Sequence, residues 1–149
     1  MQDDRIEALQ KMAIFGGLRD DILRLILTAA PVVLVKEGDY FFREGDAADS
    51  MYVVETGKAG VYKRFGESDC LLRTLTPGDC FGEMSLIDLY PRSASIRALE
   101  DCRALQISLG CIHQVYERDI EQFAVIEMNM GREVSRRLRE SDAARDPTR

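Results

Sequence analysis

In the segment FGEMSLIDLYPRSA, from Phe81 to Ala94, Glu83 stands nine positions before Arg92, which directly follows a proline. Met84, Leu86 and Ile87 are spaced for one or two helical turns over Glu83 to Leu89, and Pro91 disfavours the helical region at Tyr90. A helix this short hardly recovers its nucleation cost, so it is a poor core element. Its N-terminal amides are free, however, and its dipole favours negative charge there. Gly82 allows a ligand to approach the backbone closely. Arg92 returns to the same mouth with a planar fork suited to two phosphate oxygens. Glu83 would repel a bare phosphate, yet it can accept the proton of a sugar hydroxyl. The set therefore suits a phosphate attached to a ribose.

The same residues have plainer uses. Glu83 and Arg92 could form a salt bridge, although an exposed pair contributes only about 0–1 kcal/mol. Ser93 is either an ordinary strand residue or a hydroxyl that reaches a phosphate or a guanine edge. Met84, Leu86 and Leu89 read as packing residues, with the Met84 amide mattering more than its side chain. Arg136, Arg137 and Arg139 read as a solvated basic face. The four cysteines, Cys70, Cys80, Cys102 and Cys111, lack CxxC spacing and read as buried reduced thiols. His113, the one histidine, falls in a helix far from the cassette and reads as a surface residue. Phosphodiester hydrolysis usually needs clustered His, Asp and Glu around metals. That pattern is missing, so neither catalytic nor metal-binding residues are expected.

The elements that must position this set change texture twice. Ile6, Leu9 and Met12 repeat at helical spacing, and Ile22, Leu25 and Ile26 repeat again in a second helix from about Arg19 to Ala29. Phe15-Gly16-Gly17 separates the two helices, and Pro31 closes the region. From Val32 to Ile107 short runs such as VVLV, MYVV and AGVYKRF alternate with EGD, TGK and PGD turns. Such spacing predicts a sandwich or rolled barrel. A short helix over about Ile112 to Tyr116 and a longer one from about Asp119 to Glu140 follow. On the longer helix Ile120, Phe123, Ile126, Met130, Val134 and Leu138 form a narrow stripe that needs cover. The expected fold class is mainly β with flanking helices. The expected organisation is one domain over 1–140, with N-terminal helices in 4–29, strands in 31–107, C-terminal helices in 109–140 and a polar tail over 141–149.

Composition bounds the function. At 149 residues the chain suits one domain, and its net charge of −6 argues against DNA binding by the whole surface. A small anion is still admissible, because charges separated by more than roughly 8 Å are screened. The most apolar region, Ile22 to Val35, is cut by Arg24 and Pro31, so no membrane span is expected. The acidic, periodic N-terminus does not resemble a signal peptide, which makes a cytoplasmic location the default.

FGEMSL followed by PRSA resembles the phosphate-binding cassette of the cyclic nucleotide-binding domain family, which includes catabolite activator-like regulators and protein kinase A regulatory subunits. AIFGGL, KEGDYFFREGD and MYVVETGKAGVYKR resemble that family's helical lead-in and first strands, so the likeness spans roughly residues 10–140. The resemblance implies an eight-stranded β-roll of the double-stranded jelly-roll type. It implies that Glu83 binds the ribose 2′-hydroxyl and Arg92 the cyclic phosphate, with Gly82, Met84, Ser85, Ser93 and Ala94 lining the cassette. In the family the C-terminal helix closes over the base as a lid and often pairs two protomers. Arg137 and Ser141 fall where a lid contact would occur.

The expectation is a non-catalytic sensor of cyclic AMP, cyclic GMP or both, with no other cofactor. It would signal through its C-terminal helix to an effector protein that the sequence does not name, and could form a homodimer through that helix. The alternative is the sensory half of a catabolite activator-type transcription regulator without its DNA-binding domain. The residues after Arg139 are too few for such a domain, so direct nucleic-acid binding is not expected. A degenerate cassette serving only as a dimer module is a further reading, which the presence of both Glu83 and Arg92 disfavours. The base preference is left open.

Overall fold

The structure, a computed structural model, describes the backbone of residues 2–144 and the side chains of residues 3–141 except Ser85. Helix α1 (Gln2–Gln10) leads through a 3-10 turn (Ala13–Phe15) into α2 (Asp20–Ala29). Eight strands follow: β1 (Val32–Val35), β2 (Tyr40–Phe42), β3 (Ser50–Thr56), β4 (Ala59–Phe65), β5 (Ser68–Leu75), β6 (Cys80–Phe81), β7 (Ser95–Ala98) and β8 (Cys102–Ser108). Helix α3 (Glu83–Asp88) interrupts them between β6 and β7, and α4 (Leu109–Arg118) and α5 (Ile120–Ala144) close the chain. The strands form two antiparallel sheets, ordered β1-β8-β3-β6 and β2-β7-β4-β5. The expected mainly β roll with flanking helices is what the chain adopts.

Strand β3 explains how two cores coexist. Its residues Ser50 to Val54 are all buried, as a strand covered on both faces requires. Successive side chains point to opposite faces. Met51 and Val53 therefore join Ile22, Leu23, Ile26, Leu105, Ile107, Ile126 and Met130 beneath the helices. Tyr52 and Val54 point the other way and join Leu75, Phe81, Ile96 and Ala98 inside the roll.

Several boundaries differ from the sequence reading. Helix α4 runs from Leu109, at the start of the expected helical region, to Arg118, and is longer than the short helix read over about Ile112 to Tyr116; Ser108 caps its start by accepting the Cys111 amide at 3.1 Å. Helix α5 continues through the start of the supposed tail to Ala144, and residues 145–149 lie outside the described residues. Its apolar stripe is also shorter than expected. Ile126 and Met130 are buried, but Ile120 and Leu138 are exposed. Polar Gln122, Asn129 and Glu133 are buried instead. The reason is visible in their bonds: Gln122 accepts the Arg19 amide at 2.8 Å, and Asn129 donates to the carbonyls of Ile14 and Gly16 at 3.0 and 2.8 Å. Side-chain amides bolt the first half of α5 to the turn before α2. Cys70 is exposed, contrary to expectation, because it lies on the edge strand β5; the other three thiols are buried, and all four are free. Among the described residues no helix is long and apolar enough to cross a membrane.

The Asn129 bolt has a measurable consequence. Asn129→Ala leaves the buried Ile14 carbonyl and the part-buried Gly16 carbonyl without this donor, and unfolding in denaturant should show a loss of about 1–3 kcal/mol. An unchanged midpoint would show that water replaces the amide at no cost.

Candidate functional site

Strand β6 ends at Phe81, and Gly82 turns the chain with φ +80° into α3. Helix α3 stops at Asp88 because Leu89 takes φ 60°, a left-handed conformation unusual for a residue with a side chain. The chain then passes Pro91 and places Arg92 beneath the mouth of α3. The Arg92 backbone is fixed by its neighbour turn: its amide donates to the Asp46 carbonyl, and its carbonyl accepts the Gly45 amide, both at 2.8 Å. The second EGD turn of the sequence thereby holds the cassette arginine in place.

The Arg92 side chain is 5% exposed. Nη1 donates to the Gly82 carbonyl at 3.0 Å and Nη2 to the Ser50 carbonyl at 2.7 Å. The guanidinium carbon lies 3.9 Å from the centre of the Phe42 ring, within an aromatic group that includes stacked Tyr52 and Phe81. Nε is buried and has no partner among the described residues. Burial is the main cause that holds the Arg92 pKa below its ordinary value, opposed by the charges of more distant acids. This is a cation stripped of water, with spare donor capacity and no carboxylate in ion-pair contact among the described residues. Gly82 is required twice over: by its positive φ, and because a Cβ there would sit 2.6 Å from Arg92 Nη1.

Glu83 is 1% exposed and opens α3. Its partner is Arg137 of α5, not Arg92: Arg137 Nη1 donates to Glu83 Oε1, and Nη2 to the Cys80 carbonyl. Arg137 is thus drawn into the roll, and the reading of it as part of a solvated face is corrected by this contact. Arg136, by contrast, lies on the outer side with Glu133 and Glu140 at 2.8 Å, and Arg139 is exposed. The Cys80 thiol beside this pair is pushed up to about 12 by burial and by the Glu83 charge, so it stays protonated at neutral pH.

These groups face one cavity of about 150 Å³, lined by Phe42, Val61, Arg73, Phe81, Gly82, Glu83, Met84, Arg92, Ser93, Ala94, Ile96 and Arg137. Six of the seven sequence-singled cassette residues meet there. The Ser85 side chain lies outside the described residues, and Ser141 is exposed on the last turns of α5 without lining the cavity. Met84 and Leu89 are 52% and 67% exposed, so they are not the packing residues expected; of the three, only Leu86 reaches the core. Met84 follows the turn at Gly82 outward, and left-handed Leu89 carries its side chain away from the roll. Ser93 is exposed, and its carbonyl accepts Lys63 Nζ at 2.8 Å. His113 is exposed and pairs with Glu117 at 3.0 Å. Sequence reasoning missed Arg73 altogether. The alternation of β5 offered the only signal, since Arg73 and Leu75 fall on one face.

The cavity is smaller than the roughly 300–1,000 Å³ usual for ligand sites. Arg137 forms part of its wall while holding Glu83. Among the described residues no group of three His, Cys, Asp or Glu is placed to hold a metal ion. The chemistry on offer is recognition: two interior cations for an anion and one buried acid for a hydroxyl.

Comparison with known proteins points the same way. A family model described as the cyclic nucleotide-binding domain matches residues 32–119. The cyclic AMP receptor protein of Thermus thermophilus is 33% identical over 134 residues, which cover 89% of this chain and 60% of that protein. A cGMP-dependent protein kinase of Plasmodium berghei is 35% identical over 88 residues, covering 59% of this chain and 10% of the kinase. The crystal structure of the Thermus thermophilus catabolite activator protein superposes with a TM-score of 0.78 at 32% identity, over 90% of this chain and 62% of that one. The chain thus spans about 60% of the length of the Thermus relative.

Gly82 gives the site's most local test. Gly82→Ala forces a side chain into a positive-φ position and against the Arg92 guanidinium. Denaturant unfolding should show a loss of about 1–3 kcal/mol, and an unshifted curve would contradict the close approach.

Proposed function

The chain belongs to the cyclic nucleotide-binding domain family, and from that premise we propose that it is a non-catalytic sensor of a purine cyclic mononucleotide. The observation that carries the proposal is the buried Arg92 guanidinium, which lines the cavity and has, among the described residues, an unpartnered Nε and no carboxylate in ion-pair contact. The cyclic phosphate takes Arg92 and the free amides at the start of α3. The ribose 2′-hydroxyl donates to Glu83. The base lies against Val61 and Ile96, which supply apolar surface beyond the sugar. Met84, Ser85, Ser93 and Ala94 border the phosphate end through the cassette backbone.

The output runs through α5. Arg137 donates to Glu83. A ribose hydroxyl at Glu83 competes for the same oxygen, so bound ligand and the present Arg137 contact favour different positions of the second half of α5. A ligand shifts such an equilibrium by its difference in affinity for the two states. The exposed face of α5 supports a homodimer as the recipient: Ala124, Met128, Gly131, Ser135 and Leu138 are exposed and recur at steps of four and three. That is the spacing of a coiled-coil seam. A second reading, the sensory half of a transcription regulator, is supported by the 134-residue match to the cyclic AMP receptor protein. The effector, and action in the cytoplasm, are part of the same proposal.

Calorimetric titration with cyclic AMP, cyclic GMP and linear AMP tests the binding claim. A cyclic nucleotide should bind and linear AMP should bind much more weakly. Arg92→Ala should weaken the cyclic ligand by about 1.5–3 kcal/mol or more. Equal affinity in both proteins would remove the phosphate clamp from consideration. For the dimer, sedimentation should give twice the 16.8 kDa chain mass, and Met128→Glu should return it to the monomer. A monomer under all conditions would confine signalling to the single chain.

A further inference from the structure

We propose that Lys63 and Glu44 are positioning residues for the phosphate end of the cavity: together they hold Ser93, the residue after Arg92, in place. The inference deepens the cyclic-nucleotide reading above and rests on it.

Strands β4 and β7 part at the cavity mouth, and the ladder shows where. An antiparallel ladder hydrogen-bonds every second opposed pair. The Leu99 amide donates to the Lys58 carbonyl at 2.8 Å, which sets the phase. Gly60–Arg97 and Tyr62–Ser95 are then the bonded pairs of the β4–β7 ladder, and Arg64–Ser93 would be the next. The pairing instead ends at Tyr62 and Ser95. The Arg64 amide donates to Glu44 Oε1 at 3.1 Å, and the Ser93 carbonyl accepts Lys63 Nζ at 2.8 Å. Lys63 Nζ and Glu44 Oε2 close the gap at 3.1 Å. An ion pair is thus spliced into the ladder in place of one main-chain pair.

The splice sits beside the cassette. Ser93 and Ala94 line the cavity, whereas Lys63 and Glu44 are not among its lining residues. The turn from Arg43 to Asp46 already grips the Arg92 main chain through the Gly45 amide and the Asp46 carbonyl. Glu44 extends that grip. Its amide donates to Ser95 Oγ at 2.8 Å, and its carboxylate reaches Ser93 through Lys63. One turn therefore fixes Arg92, Ser93 and Ser95 together. Without the ion pair the Ser93 carbonyl loses its donor. The chain after Arg92 is then free to close the ladder onto Arg64 or to turn to water, and either displaces the wall on which a phosphate rests.

The pair has little other work. The Lys63 and Glu44 side chains are 36% and 34% exposed, so their attraction contributes little to stability. The Arg64 amide, and then Lys63, hold the Glu44 carboxyl below its ordinary range, which keeps it ionised at neutral pH.

Calorimetry tests the role with whichever of cyclic AMP and cyclic GMP the unaltered protein binds more tightly. Lys63→Met should weaken that ligand by about threefold to tenfold, the range of one net hydrogen bond. Glu44→Gln separates position from charge. It removes a negative charge near an anion site, so a purely electrostatic role predicts tighter binding. The positioning role predicts binding weaker by about threefold, because the lysine is no longer held. The double variant should lose no more than Lys63→Met alone, since residues that act as a unit are not additive. Lys63→Arg can still bridge a carboxylate and a carbonyl, and should recover most of the affinity. Denaturant midpoints of all variants should stay close to that of the unaltered protein. Unchanged affinity in Lys63→Met, or tighter binding by Glu44→Gln, overturns the positioning role and leaves the nucleotide site standing. Affinity lost only in step with a falling midpoint also overturns it, since the change is then one of overall stability. Failure of the unaltered protein to bind either ligand overturns the nucleotide site and this inference together.

Discussion

A guanidinium buried without a carboxylate partner among the described residues governs the rest of this molecule. Arg92 keeps its charge in a largely dry place because two peptide carbonyls and the face of Phe42 stand in for water. Such substitution is incomplete, since Nε has no partner among the described residues. Every neighbouring feature follows from the need to hold that cation. Gly82 must lack a Cβ so that the guanidinium can pass. The turn at Gly45 and Asp46 must clamp the Arg92 backbone. Helix α3 is short because the chain must return from Glu83 to Arg92 within a few residues, and left-handed Leu89 makes that return. Interior positive charge of this kind is costly alone and strongly attracts an anion, because low polarity strengthens both effects.

Glu83 and Arg137 carry the same constraint into α5. Their contact is almost fully buried on the acid side, where removing one partner strands the other. Under the proposed function, a ligand hydroxyl at Glu83 would compete with this contact between α3 and the second half of α5. The first half does not share that freedom, being bolted through Gln122 and Asn129. Between the last bolt and Arg137 lies Gly131, where a Cβ would meet no neighbouring atom within 4 Å. The glycine is not demanded by packing, and it weakens the helix by about 1 kcal/mol relative to alanine. Gly131 thus lies between the part of α5 bolted to the N-terminal turn and the part held to Glu83.

Much of this was legible in the sequence, and what was not has physical reasons. The strands and their turns could be read because β-branched runs and positive-φ glycines are local signals. Glu83 and Arg92 could be read because one short segment carries both. The partner of Glu83 could not: Arg137 lies 54 positions away, and three arginines in close succession look alike until the helix is docked. The apolar stripe of α5 was overextended because polar residues give no periodic signal: the buried amides of Gln122 and Asn129 dock its first half, and Arg137 rather than Leu138 turns inward near its end. Met84 and Leu89 read as core because hydrophobicity does not reveal which side of a six-residue helix faces out. Arg73 was missed because its place on the cavity wall depends on the register of β4 with β5, a long-range property.

A crystal structure of the protein with its cyclic nucleotide bears most directly on the central claim. The account predicts the cyclic phosphate on Arg92 and the first amides of α3, the 2′-hydroxyl on Glu83, and Arg137 moved off that carboxylate. A bound nucleotide lying elsewhere, with Arg137 still on Glu83 and Arg92 still touching only carbonyls and Phe42, would contradict it.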